Sequence, residues 1–128
     1  MELDLDLDHL LMMAGHDVDL ADEVVSIFET QADIWHQQLN TAVPQSEWAD
    51  AAHALKGAAL SLGAIELATV CSEAEGRGRQ PELLGQVETA LLLSEVREVL
   101  AKTLDACARA RHQLSRPGLR VASKDLNS

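Results

Sequence analysis

The fold is decided by residues 51–64, which read AAHALKGAALSLGA. At about 100° per residue in an α-helix, this stretch and the preceding turn place their larger apolar residues on a stripe roughly 80° wide. That stripe consists of Trp48, Ala52, Leu55, Ala59 and Leu62. His53 lies about 140° from the centre of the stripe. The pattern therefore predicts a helix that buries one face and carries a histidine on its outer face.

Two neighbours of His53 point to a chemical role for the exposed imidazole. Lys56 follows it by three residues and Gly57 by four, so both lie one turn further along the same side of the helix. A helix-interior glycine costs about 1 kcal/mol relative to alanine, but it leaves the imidazole open to another protein's backbone. An imidazole nitrogen can form a covalent intermediate, and a lysine ammonium stabilises negative charge. The stretch therefore predicts a phosphoryl group held on His53.

The composition favours one helical domain. The chain has 128 residues and is 47% hydrophobic, but it contains one Phe, two Trp and no Tyr. Alanine and leucine dominate, which favours helices over strands. No apolar run approaches the ~20 residues of a membrane span, and the acidic N-terminus does not resemble a signal peptide. We expect no membrane association and a cytoplasmic location, with Cys71 and Cys107 as buried, reduced thiols.

The charge is unevenly distributed along the chain. The formal net charge is −11, and residues 1–52 contain twelve Asp or Glu residues and no Lys or Arg. A nucleic-acid-binding surface needs a basic footprint, so nucleic acid is not an expected partner. The five histidines are scattered, which predicts no metal site in this chain.

Apolar periodicity predicts the remaining helices. A short helix is expected near residues 6–13, ended by Gly15, and a second over residues 19–42, capped by Asp17 or Asp19. The predicted core stripe of the second helix is Leu20, Val24, Ile27, Phe28, Ile34, Trp35 and Leu39. The next three helices are predicted at residues 46–62, 64–76 and 82–114. Residues 76–81 are predicted to form a loop, and a shift in apolar phase indicates a break near residues 85–94.

Short links make successive helices antiparallel. The predicted fold is therefore all-α: an up-down antiparallel four-helix bundle with a short additional N-terminal helix over residues 1–114, followed by a flexible C-terminal tail at 115–128. The hairpin that turns at Gly63 brings Glu75 to the level of His53. A carboxylate there would accept the Nδ1–H of the imidazole and leave Nε2 as the nucleophile.

The central stretch resembles the histidine-containing phosphotransfer (HPt) domains of multistep phosphorelays. The resemblance is carried by residues 53–59, HALKGAA, followed by Leu62 and Gly63, and the flanking helices extend it over most of residues 3–114. The family often has Gln or Glu at the position of Glu75, where it orients the imidazole. His36 has no Lys or Gly at the matching positions and is not expected to accept phosphate.

The resemblance implies a phosphorelay intermediate without autokinase activity. His53 would accept a phosphoryl group from a receiver-domain aspartate and pass it to another receiver, and Lys56 would stabilise the phosphoryl charge. Gly57, Ala49, Leu60 and Ala64 would form the docking patch. The implied partners are response-regulator receiver domains and a hybrid sensor histidine kinase. This chain would bind no cofactor, because Mg²⁺ resides on the receiver, and it would act as a monomer.

Two other interpretations stay open at this stage. A non-catalytic docking or inhibitory module would use the same patch without phosphorylation, and its binding would not depend on His53. The dimerising helices of a histidine kinase would show similar periodicity, but such helices normally accompany an ATP-binding domain, and no part of this sequence resembles one.

Overall fold

A computed structural model describes residues 7–116 of the chain, all of whose regular elements are helices. The helices are α1 (Leu7–Met13), α2 (Val18–His36), α3 (Gln45–Leu62), α4 (Ile65–Gly78) and α5 (Gln86–Leu114). Helix α3 packs against α2 and α4, and α5 packs against the same two helices, whereas α3 and α5 have only sparse contact. The four long helices thus form a bundle with α3 and α5 at opposite corners, and α1 packs against α2. This confirms the predicted fold class.

The predicted stripe of α3 forms the centre of the core. All five of its members, Trp48, Ala52, Leu55, Ala59 and Leu62, are at most 1% exposed. Gly63 ends the helix in the left-handed conformation at φ 84°, and its N–H donates to carbonyls of the last turn. This conformation suits glycine, and it turns the chain tightly enough for α4 to fold back along α3.

The buried face of α2 differs from the predicted one. Asp17 caps the helix as predicted, since its carboxylate accepts the Leu20 N–H at 3.1 Å. The helix ends at His36, before the predicted residue 42. Its buried residues are Val18, Ala21, Val25, Phe28 and Ala32. Three predicted core residues, Leu20, Ile27 and Ile34, are instead 45–55% exposed, because α2 turns the opposite face, with Phe28 and the smaller valines and alanines, toward the bundle.

The boundaries of α4 and α5 also correct the prediction. Helix α4 continues to Gly78, so the expected loop at residues 76–81 begins later. Gly78 is needed for packing, since a Cβ there would lie 2.7 Å from the Trp48 ring. Helix α5 runs without interruption from Gln86 to Leu114, so the break predicted near residues 85–94 is wrong. The apolar residues change phase along the sequence because Val87 and Leu91 are not part of the core. They face solvent and are 74% and 70% exposed.

The remaining features of the fold concern its thiols and its C-terminal end. Cys71 and Cys107 are both buried, and neither forms a disulfide, as predicted. Helix α5 ends at Leu114 with Ser115 as its C-cap. Residues 117–128 of the predicted tail lie outside the described residues. None of the helices within residues 7–116 combines the length and apolar character needed to cross a membrane.

Candidate functional site

The α3–α4 hairpin brings His53 and Glu75 into direct contact. The two residues are 22 positions apart in the sequence, on different helices, yet His53 Nδ1 lies 2.8 Å from Glu75 Oε2. This is the contact that the sequence predicts. The His53 side chain is 63% exposed, whereas that of Glu75 is only 17% exposed. The carboxylate is thus held at the helix interface and presents an acceptor to an imidazole that projects into solvent.

Lys56 holds the same carboxylate from the other side. Its Nζ donates to Glu75 Oε1 at 2.8 Å, and its side chain is 28% exposed. The hydrogen bond from Lys56 is the main reason that the pKa of Glu75 lies below its ordinary value, and the neighbouring His53 contributes in the same direction. Glu75 therefore stays ionised at neutral pH and accepts from both partners at once.

This geometry selects one tautomer of His53. A carboxylate can only accept a hydrogen bond, so the nitrogen that contacts Glu75 carries the proton. In the neutral ring the proton is then on Nδ1, and Nε2 on the far side of the ring carries the free lone pair. The arrangement is that of a positioned, solvent-facing nitrogen nucleophile with a fixed carboxylate and an ammonium group within one turn of it.

The docking patch predicted from the sequence is only partly at the surface. Gly57 is exposed, with open space where a side chain would project, and Leu60 is 53% exposed. Ala49 and Ala64 are both completely buried, so the prediction that they line an exposed patch is wrong. Ala49 lies under α4, beside Gly78, and Ala64 sits in the tight turn that starts α4.

Sequence reasoning missed two charged residues beside the site. Arg79 lies 2.7 Å from Asp50 Oδ1 and 3.8 Å from Glu75 Oε2. Asp50 precedes His53 by three residues and Arg79 follows Glu75 by four, so helical spacing could have identified both. They extend the ionic contacts of Glu75 into a network that joins α3 to the C-terminal end of α4.

Sequence reasoning also missed an exposed apolar stripe on α2. Leu20, Ile27 and Ile34 recur every seven residues and therefore lie above one another on the helix. Asp22 and Glu29 of the same helix bind Arg111 of α5, and the stripe is about 150° around the helix from them. It therefore faces away from α5 and projects outward from the bundle.

Cys71 lies one turn before Glu75 but has no part in the chemistry. It is completely buried, and burial raises the pKa of its thiol to about 12. A thiol that stays protonated at neutral pH is a poor nucleophile. His53 is therefore the exposed nucleophile of this part of the bundle.

Comparisons with known proteins agree with this geometry. The Hpt domain family model matches residues 23–102, which is more than half of the chain. The crystal structure of the histidine phosphotransferase ShpA from Caulobacter crescentus superimposes with a TM-score of 0.69 and 31% sequence identity, covering 86% of this chain and 92% of ShpA. No curated protein sequence matched the chain. The chain belongs to the Hpt domain family.

The ion pair between Lys56 and Glu75 predicts a pH-dependent contribution to stability. A carboxyl group whose pKa is lowered by folding stabilises the native state above its unfolded-state pKa of about 4.3, and the contribution is lost as the pH falls through the native pKa. We expect Lys56→Met to lower the free energy of unfolding at pH 7 by about 0.5–1.5 kcal/mol. This difference from wild type should shrink as the pH falls below about 4.

Urea unfolding of both proteins between pH 7 and pH 3 measures this effect. Lys102→Met is the matched control, since Lys102 is exposed on α5, and it should differ little from wild type at every pH. A Lys56→Met difference that stays constant down to pH 3 would show that the ion pair does not stabilise the hairpin.

Proposed function

We propose that this protein is a phosphorelay intermediate that accepts a phosphoryl group on His53 from a receiver-domain aspartate and passes it to another receiver domain. The observation that carries the proposal is the 2.8 Å contact between His53 Nδ1 and Glu75, made by an imidazole that is 63% exposed. An orienting partner on one ring nitrogen and open solvent around the other are what attack on a docked phosphoryl donor requires.

The proposed transfer conserves atoms and charge. The lone pair of His53 Nε2 attacks the phosphorus of the receiver's aspartyl phosphate, and the bond from phosphorus to the carboxyl oxygen breaks, leaving an aspartate carboxylate. The ring then carries a positive charge, which the Glu75 carboxylate at Nδ1 balances. An ammonium has three donors, so Lys56 can bind a phosphoryl oxygen while it keeps its bond to Glu75. The same steps in reverse order transfer the phosphoryl group from His53 to the aspartate of the second receiver.

The surroundings of His53 support docking by a receiver. Gly57 leaves a gap in the outer face of α3, and the exposed side chains of Leu60 on α3 and Ile27 on α2 provide apolar surface. We propose response-regulator receivers and a hybrid sensor histidine kinase as partners. Mg²⁺ would be held by the receiver, and the protein would act in the cytoplasm as a monomer that has no kinase activity of its own.

Glu75 is proposed as a positioning residue. Glu75→Ala removes the acceptor for Nδ1–H, and we expect it to slow phosphotransfer about tenfold or more. Glu75→Gln keeps an acceptor oxygen and should restore most of the rate, while weakening the charge balance of the phosphorylated ring. Rapid-quench transfer assays measure both rates. A purely structural role is contradicted if the thermal stability of the two variants is equal while their rates differ.

The proposed function is tested with a panel of phosphorylated receiver domains as donors. We expect at least one donor to pass phosphate to the protein, forming an acid-labile, base-stable adduct typical of phosphohistidine. If receivers bind but none passes phosphate, the protein is a docking or inhibitory module on an Hpt scaffold, and the proposal fails.

A further inference from the structure

A second apolar surface lies on α5, at the corner of the bundle diagonal to α3. Leu83, Val87 and Leu91 are 82%, 74% and 70% exposed, which makes them the three most exposed large hydrophobic residues in the described part of the chain. Val87 and Leu91 lie one turn apart on α5, whereas Leu83 lies in the connection just before the helix. We call these three residues the α5 patch. Three neighbouring exposed apolar side chains of this size are a signal of an interaction site rather than of a random surface position.

The α5 patch extends onto the end of the bundle. An open pocket of about 300 Å³ lies beside it and is lined in part by Leu83, Leu84, Val43 and Pro44. A depression between the α2–α3 and α4–α5 connections therefore adjoins the α5 patch, and residues such as Thr41, Gln45 and Gln86 make its accessible lining largely polar. A partner protein can contact the row of exposed side chains and insert one of its own side chains into the depression.

The charges around the α5 patch define the chemistry of its partner. Residues 82–98 contain four glutamates and a single arginine, and one of these glutamates, Glu88, already pairs with Arg77 of α4. The arginine, Arg97, donates a hydrogen bond to the Leu39 carbonyl and is thus directed at the connection after α2. Glu95 continues the row of the α5 patch by one more turn, and Glu82, Glu95 and Glu98 are exposed. The surface is an apolar stripe with acidic borders.

We infer that the α5 patch binds an amphipathic helix of a partner protein whose apolar side chains are bordered by Lys or Arg. Charge complementarity favours this occupant: its basic borders would pair with Glu82, Glu95 and Glu98, while its apolar residues cover the α5 patch. A second copy of the chain fits poorly, because it would bring another face with the same excess of glutamates against the first.

The α5 patch is separate from the phosphotransfer face. Because α3 and α5 occupy opposite corners of the bundle, their outer faces point in different directions. A protein docked over His53 would leave the α5 patch uncovered, so both sites can be occupied together. The inference does not depend on the proposed function, since it needs only the exposed residues of the α5 patch and the glutamates beside it.

The test uses a fluorescein-labelled model peptide of leucine and lysine, about 18 residues long so that it can form a helix. Its binding to the full chain is followed by fluorescence anisotropy. Val87→Gln/Leu91→Gln should weaken binding about tenfold or more, since it removes two apolar contacts. The matched control is Met12→Gln/Met13→Gln, which removes two exposed apolar side chains from α1 and should change affinity less than about twofold.

Further measurements make the result decisive. Glu95→Gln/Glu98→Gln should weaken binding of the peptide and reduce the dependence of its affinity on salt. Phosphate acceptance by Val87→Gln/Leu91→Gln should equal that of wild type. Equal peptide binding by wild type and Val87→Gln/Leu91→Gln would overturn the inference, as would equal losses in the α5 and α1 double variants. A dimer in sedimentation velocity that the α5 double variant dissociates would also overturn it, by identifying a second copy as the occupant.

Discussion

His53→Ala is expected to abolish phosphate acceptance while leaving the bundle folded. The imidazole is the proposed nucleophile, and the neighbouring nucleophilic side chain Cys71 is buried and protonated. The His53 side chain is 63% exposed, so its removal opens no cavity in the core. Alanine is also a better helix former than histidine. We expect the free energy of unfolding to change by less than about 1 kcal/mol.

Thermal unfolding and phosphate incorporation should be measured on the same preparation of this variant. His36→Ala is the matched control, since His36 is an exposed helical histidine without the neighbouring Lys and Gly, and it should accept phosphate as wild type does. Residual phosphate on His53→Ala, or loss of phosphate acceptance in His36→Ala, would assign the phosphoacceptor to another residue.

Two glycine-to-alanine substitutions should change stability in opposite directions. At Gly78 the new Cβ would lie 2.7 Å from Trp48 Cζ3 and 2.9 Å from Ala49 Cβ, and both neighbours are at most 1% exposed. Neither can move without repacking the core, so we expect Gly78→Ala to destabilise the protein by about 1–3 kcal/mol. At Gly57 no atom lies within 4 Å of the new Cβ. Gly57→Ala should therefore stabilise the helix by up to about 1 kcal/mol.

Urea unfolding of the two variants tests this pair directly. If Gly57→Ala is destabilising, the open surface beside His53 is not open in solution. If Gly78→Ala is neutral, the close approach of α4 to α3 is not needed for the hairpin that carries Glu75. A stabilised Gly57→Ala that accepts phosphate more slowly would show that this glycine is retained for docking at a cost in stability.

The site was predictable from the sequence because its geometry is local. His53, Lys56 and Gly57 lie within two turns of one helix, and the left-handed turn at Gly63 determines the path of α4. Because the link is short, α4 folds back along α3 and Glu75 faces His53. Glu75 Oε2 then lies 2.8 Å from His53 Nδ1. Helical periodicity and the chain reversal at Gly63 were enough to predict the contact between His53 and Glu75.

The surroundings of the site were less predictable because they depend on packing between helices. On α2, both Leu20–Ile27–Ile34 and Ala21–Val25–Ala32 have helical spacing, and hydrophobicity favoured the larger residues. The structure buries the second set, so the size of the apolar side chains does not identify the inward face of this helix. Ala49 was predicted to be exposed for a related reason: the sequence does not show that Gly78 lets α4 lie directly over it.

The central claim is that Glu75 holds Nδ1 of His53, so that Nε2 carries the phosphoryl group. It is tested most directly by ¹⁵N–³¹P coupling in the phosphorylated protein labelled with ¹⁵N-histidine. We predict one phosphohistidine, with phosphorus coupled to Nε2 of His53 and the proton retained on Nδ1 beside Glu75. Phosphorus coupled to Nδ1 of His53, or to any other histidine, would contradict the account.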